Sequence, residues 1–400
     1  MPRKIWLALS LILNIGLLAY FKYMNFFMDN LNAILEYSHL STLRFTRVAL
    51  PIGISFFTFQ SISYTVDVYR KVSEPLRRWY DYMLYISLFP QLIAGPIIRY
   101  NTIADQLVDR DIPIVGRVEG FRRFAIGLGK KVLIANTLAI VADDVFAMDF
   151  HSMSSGTAWI GILAYTFQIY FDFSGYSDMA IGIGRMLGFR FSENFKVPYI
   201  SQSISEFWRR WHITLGGFMK EYLYIPLGGN RISKGRTYFN LWLVFLISGL
   251  WHGASWTFVL WGVFHGAFLI FDRLFMLDVL KKIGRFPSIL LTFFIVVLGW
   301  VIFRADTVGG AIDYYQALFA FRPGTTVFIS RQGYLFFVLA ILFSFLPALK
   351  IGDKWMGLFF NDASTKGSSI ILYITSIVLF FLSVGALAVT DFNPFIYFRF

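Results

Sequence analysis

Apolar residues in this chain come in long unbroken runs, with polar and charged residues gathered between them. Such runs lie at 5–24, 51–69, 80–98, 124–142, 157–173, 239–271, 288–303, 333–349 and 369–389. A helix needs roughly 17 to 25 residues to cross about 30 Å of hydrocarbon. The pattern therefore predicts roughly nine to eleven crossings, the 239–271 run counting as one long helix or two short ones. No repeat, low-complexity tract or linker divides the chain, so residues 1–400 read as a single integral domain.

The 239–271 run raises a separate question. The 35 residues between Arg236 and Asp272 carry no formal charge, and as one helix they would measure about 52 Å. Either that helix is tilted and protrudes, with His252 near mid-membrane, or it breaks, with Gly249 and Gly253 around Trp251-His252 marking the place. A lone histidine in apolar surroundings is usually a core residue donating to a carbonyl. At membrane depth, however, an ionisable group is costly and tends to line a cavity or a proton or substrate path. Imidazole also exchanges a proton near neutral pH. His252 is accordingly the first catalytic candidate, and His265, thirteen residues on, is left structural.

Basic residues cluster in three connecting segments: Arg70 to Arg78, Arg110 to Lys131 and Arg185 to Arg236. The positive-inside rule places all three in the cytoplasm. The third is unusual, because eight basic and three acidic residues between Arg190 and Arg236 are interleaved with aromatic rings. Ile204, Trp208, Trp211, Leu215 and Phe218 fall at three- and four-residue spacing, which predicts a helix from about Ser203 with one apolar face. One reading is an interfacial amphipathic helix anchored on anionic lipid. The other is a segment dipping back toward the membrane to form the mouth of a site for an anionic cytosolic substrate, its arginines pairing with phosphates.

Composition narrows the chemistry. The chain is 57% hydrophobic and 15% charged, with a mean hydropathy of +0.60, so its net charge of +12 is first a matter of topology and lipid contact, not of nucleic acid. With no cysteine, disulfides, thiolate catalysis and thiolate metal sites are excluded, and no metal site is expected. Gly182-Ile-Gly-Arg-Met-Leu-Gly188 has one residue too many for a dinucleotide fingerprint and no flanking strand. Asp172 and Asp178, at the end of an apolar span, suit capping and pairing with nearby arginines, or else a proton path.

Trp208-Arg-Arg-Trp-His212 followed by Leu250-Trp-His-Gly253 resembles the signature of the membrane-bound O-acyltransferases. Phe167 to Ala180, Asn194 to Tyr199, Tyr224 to Arg231 and Trp251 to Thr257 are similar to the alginate O-acetyltransferase branch of that family. Pro51 to Gln60, Leu88 to Pro96, Gly299 to Asp306 and Pro394 to Phe400 extend the likeness over nearly all the chain. The resemblance implies an all-α polytopic fold, a ring of tilted helices around a cytoplasm-facing funnel with re-entrant or amphipathic segments. It places His252 on the funnel floor as general base, with His212 nearby, where it or tryptophan N–H groups would stabilise the thioester carbonyl oxygen. Trp208, Arg209, Arg210, Trp211, Trp251 and Asp178 are the implied substrate-binding residues.

The implied reaction moves an acetyl group from acetyl-CoA, bound as substrate with no resident cofactor, to an extracytoplasmic polysaccharide such as alginate. An SGNH-type extracytoplasmic acetyltransferase is the implied partner protein, and the bacterial inner membrane the implied location. Peptidoglycan, a cellulose-like glucan or teichoic acid are alternative acceptors. Relatives carry further helices ahead of the segment that begins here at Met1, so the chain is expected to lack some of them. Two other classes compete: a proton-linked transporter using His252, Asp172 and Asp178, and an inactive scaffold.

Overall fold

The computed structural model describes residues 2–92, 95–349, 352, 366–389 and 395. Among them the fold is helical throughout, with one isolated bridge between Met153 and Thr325 and no strand. Among the described residues, five helical stretches are long and apolar enough to cross a membrane: Arg3–Tyr37, Ile114–Phe146, Arg285–Arg304, Arg331–Ala348 and Ile370–Val389.

The first stretch joins α1 (Pro2–Leu18) to α2 (Met24–Tyr37) through a π-helical turn at Ala19–Tyr23. It is followed by α3 (Ile54–Tyr69), then α4 (Trp79–Ser87) and the short α5 (Phe89–Leu92). The 80–98 run is thus not one crossing, because Leu88 leaves the helical region ahead of Pro90 and residues 95–99 are non-helical. Next come α6 (Tyr100–Val108), α7 (Ile114–Gly129), a π turn (Lys130–Ala135) and α8 (Asn136–Phe146). α9 (Ser155–Met186) is longer than its apolar core predicted, since ion pairs carry it beyond residue 173. The likeness-bearing stretch Leu88 to Pro96 is described except for residues 93–94, and of Pro394 to Phe400 only Phe395 lies within the described residues.

Two short helices, α10 (Ile204–Arg210) and α11 (Ile213–Met219), precede α12 (Lys234–His252) and α13 (Trp256–Phe271). The uncharged run is therefore broken, and the break falls at Gly253–Ser255. Gly249 lies inside α12 and serves another purpose. A Cβ there would clash with the Phe258 carbonyl oxygen and sit 3.2 Å from the backbone of Gly262, so a glycine at 249 lets the helices of this hairpin approach closely. α14 (Leu277–Ile283), α15 (Arg285–Arg304), α16 (Val308–Phe319), α17 (Arg331–Phe345) and α18 (Lys366–Val389) complete the series. Helix starts follow the sequence closely: Ser154, Ser203, Ser233, Ser255, Thr307 and Ser330 each accept a backbone N–H of the first turn.

α7 and α9 form an antiparallel pair at the centre. Gly120 faces Gly182 and Gly127 faces Gly175, seven residues apart on each helix, and a Cβ added at Gly127 would come 2.5 Å from the Gly175 carbonyl oxygen. Gly182 is thus a packing residue of a helix pair. Gly127→Ala is expected to cost about 1–3 kcal/mol by overpacking, read as a lower thermal midpoint in detergent. Ion pairs stitch the same interface: Arg123 and Lys130 hold Asp178 at 2.6 and 2.5 Å, and Lys131 holds Asp172 at 2.7 Å. The pairing role considered for these aspartates is the one they fill here.

Candidate active site

Local sequence explains why the chain turns inward at His212. Ser203 caps α10 through Glu206 N–H, while Glu206 accepts from Gln202 N–H at 2.8 Å and pairs with Arg210 at 2.8 Å. The expected single helix from Ser203 stops at Arg210, because His212 adopts the left-handed region at φ 46° before α11 begins. A non-glycine residue is held there only when its surroundings enforce it. Ile204, Phe207, Trp211, Leu215 and Phe218 are each 5% exposed or less, packed in the main core. That burial overturns the reading of this segment as a helix lying on lipid.

Asn194 does the enforcing. Its carbonyl accepts Ile213 N–H at 2.9 Å, and its side-chain Oδ1 accepts Thr214 N–H at 3.3 Å and the Thr214 hydroxyl at 2.8 Å. Its Nδ2 donates to Ser177 Oγ at 3.1 Å. A backbone N–H can only donate, so this amide orientation is fixed, and His212 Nδ1, 3.1 Å from Oδ1, must be the donor. Neutral His212 therefore carries its proton on Nδ1. Nε2 is buried and has no hydrogen-bond partner among the described residues. In this form Nε2 is an acceptor, which does not fit the expectation that His212 donates to the thioester carbonyl oxygen.

A cavity of about 490 Å³ opens beside this segment, lined by Trp208, Arg209, His212, Lys220, Ser248 and Arg273 among others. The volume lies within the range of small-molecule sites. Arg209, Lys220 and Arg273 make no ion pair among the described residues, so three cations line one concavity. Trp208 is held at the wall by its Nε1–H donating to His265 Nδ1 at 3.3 Å. His265, fully buried, thus acts structurally as expected.

His252 is the last residue of α12, 5% exposed, with its ring centroid 6.5 Å from that of His212. Trp251, Trp261 and Phe303 surround it at 5.0, 5.1 and 5.4 Å. The two candidate histidines, forty residues apart in sequence, are neighbours in space.

The other expected substrate-binding residues separate into two groups. Trp208 and Arg209 reach the cavity. Arg210 instead pairs with Glu206 and donates to the Lys196 carbonyl. Trp211 lies between Phe195 and Trp300 at 5.0 and 4.9 Å, Trp251 stacks on Phe59 at 5.4 Å, and Asp178 is held by two cations. Asn194, Lys220 and Arg273 were not singled out from sequence. A signal existed for Arg273, the first cation after the uncharged run; Asn194 offered none apart from its place in a likeness-bearing stretch.

The sequence profile described as MBOAT, membrane-bound O-acyltransferase family, matches residues 6–303. The probable alginate O-acetylase AlgI of Pseudomonas putida is 43% identical, covering 100% of this chain and 85% of that protein. Its namesake in Azotobacter vinelandii is 42% identical, covering 99% and 85%. The peptidoglycan O-acetyltransferase of Helicobacter pylori is 42% identical, covering 82% and 67%. With the likeness spread over buried helices and over both histidine segments alike, the chain belongs to the membrane-bound O-acyltransferase family, in its alginate O-acetylase branch, and is a multi-pass membrane O-acyltransferase.

Proposed function

We propose that the chain takes an acetyl group from cytosolic acetyl-CoA and passes it through the membrane to a hydroxyl of an extracytoplasmic polysaccharide, with alginate as first choice. The observation that carries this reading is the basic cavity. Arg209, Lys220 and Arg273 offer charge-assisted hydrogen bonds to phosphates, and the cavity wall includes His212, the neighbour of His252. Arg209 and Lys220 come from a segment that the positive-inside rule assigns to the cytoplasm, and Arg273 lines the same cavity, so the donor enters from there, in a bacterial inner membrane.

In the reaction, His252 removes the proton of the acceptor hydroxyl, its oxygen forms the ester C–O bond, and the C–S bond breaks with its electron pair on sulfur. The thiolate then recovers the proton from the imidazolium. His212, with an unprotonated Nε2, lines the site beside His252 and is not the donor that stabilises the carbonyl oxygen. The hydroxyl acylated in this step belongs to an SGNH-type extracytoplasmic acetyltransferase, which passes the acetyl on to a polymer hydroxyl by transesterification and regains its own proton. The name of the Helicobacter relative supports peptidoglycan as the second acceptor.

Replacing Arg209 and Arg273 together by alanine removes donors worth about 1.5–3 kcal/mol each. The KM for acetyl-CoA is expected to rise by roughly tenfold or more, measured as initial rates in proteoliposomes. An unchanged KM would show that the donor binds elsewhere.

A further inference from the structure

The end of α12 is held by the first helix of the chain. Gly253 leaves the helix in an extended conformation, so the last carbonyls of α12 lack their next-turn donors and form the negative end of its dipole. Lys22 Nζ donates to the Trp251 carbonyl, lies 3.4 Å from that of His252 and 3.3 Å from Ser55 Oγ, and Tyr23 OH donates to the Leu250 carbonyl at 2.7 Å. Both residues belong to the π-helical turn Ala19–Tyr23, an irregularity that often marks functional positions. Lys22 makes no ion pair among the described residues, and its ammonium lies 5.8 Å from the Trp251 ring centroid.

Neutral donors suffice to cap carbonyls, as Tyr23 demonstrates. A charge within an apolar membrane segment is costly and calls for its own explanation. Among the described residues, Lys22 and His212 are titratable neighbours of the His252 segment, whereas α13 and α15 present Trp261 and Phe303 to the His252 ring.

We propose that Lys22 is a positioning residue for the acyl transfer: by holding the Trp251 and His252 carbonyls it fixes the end of α12, and with it the His252 ring, beside His212. This rests on the reading of His252 as the base. Lys22 touches neither donor nor acceptor in this role. The N-terminal helix, far from the histidine motifs in sequence, becomes part of the catalytic apparatus.

The test compares acetyl transfer by the wild type, Lys22→Met, Lys22→Arg and Tyr23→Phe in proteoliposomes, with acetyl-CoA as donor. Lys22→Met is expected to lower kcat at least about tenfold with the KM for acetyl-CoA and the thermal midpoint unchanged, and Lys22→Arg restores the rate. An unchanged kcat, or a loss that comes with a raised KM or a lowered midpoint, would overturn the positioning role. The place of the His252 ring is followed without turnover by NMR of histidine-labelled protein, assigned through His252→Gln. If the His252 ring signals move in Lys22→Met and return in Lys22→Arg while even the wild type transfers nothing, the functional reading fails and the positioning of His252 by Lys22 stands. If those signals do not move, the Lys22 proposal fails whatever the activity.

Discussion

His252→Ala is expected to lower acyl transfer by about 10²–10⁴-fold, the usual contribution of a positioned acid–base group, with membrane insertion and abundance unchanged. The side chain lies at the end of α12 among Trp251, Trp261 and Phe303. Alanine leaves a void there but no uncompensated charge, and a small apolar residue is tolerated in the bilayer. The loss therefore reports on chemistry and is read as initial rates of acetyl transfer at equal protein in the membrane. His212→Ala is expected to reduce transfer less, because the proton still has a base in His252. Equal losses in the two variants would mean that the histidines act as one unit.

Asp178→Asn is expected to produce the largest change in stability, about 3–5 kcal/mol, the range for breaking a buried ion pair by removing one partner. Asp178 is 4% exposed and holds Arg123 and Lys130 at 2.6 and 2.5 Å. The same guanidinium also reaches Glu193 at 2.6 Å. An amide would leave two cations beneath the α7–α9 interface with one exposed carboxylate between them. The thermal midpoint should fall, while the KM for acetyl-CoA in the remaining folded protein stays where it was. A raised KM with an unchanged midpoint would instead restore the substrate-binding role first expected of this residue.

Much of this architecture was legible from apolar run length alone, because a bilayer demands helices of a set span. The failures were local. Pro90 divides the 80–98 run, and the charged extension of α9 is invisible to a search for apolar residues, since its aspartates are neutralised by cations from a helix some fifty residues earlier. Gly249 looked like a hinge but is a contact point, a difference that depends on Gly262 lying across from it.

The site divides similarly. His252 was legible because an ionisable ring in an uncharged apolar stretch stands out against its neighbours, whereas His212 came only from the family resemblance. The left-handed turn at His212, its fixed tautomer and the burial of its helix face all depend on Asn194, whose partners come from residues 177 to 214. Spacing on one helix cannot reveal that. Of the Trp-Arg-Arg-Trp segment, only Trp208 and Arg209 reach the cavity, since Arg210 pairs with Glu206 one turn back on α10 and Trp211 is buried in the core.

The central claim, that this chain moves acetyl groups from acetyl-CoA by histidine chemistry, is tested most directly by incubating purified proteoliposomes with acetyl-labelled acetyl-CoA and an alginate acceptor, with the SGNH-type partner present, and comparing the wild type with His252→Ala. The account predicts release of free coenzyme A and labelled polymer with the wild type, and both lost with the variant. Equal turnover in the two, or none in the wild type under these conditions, would contradict it.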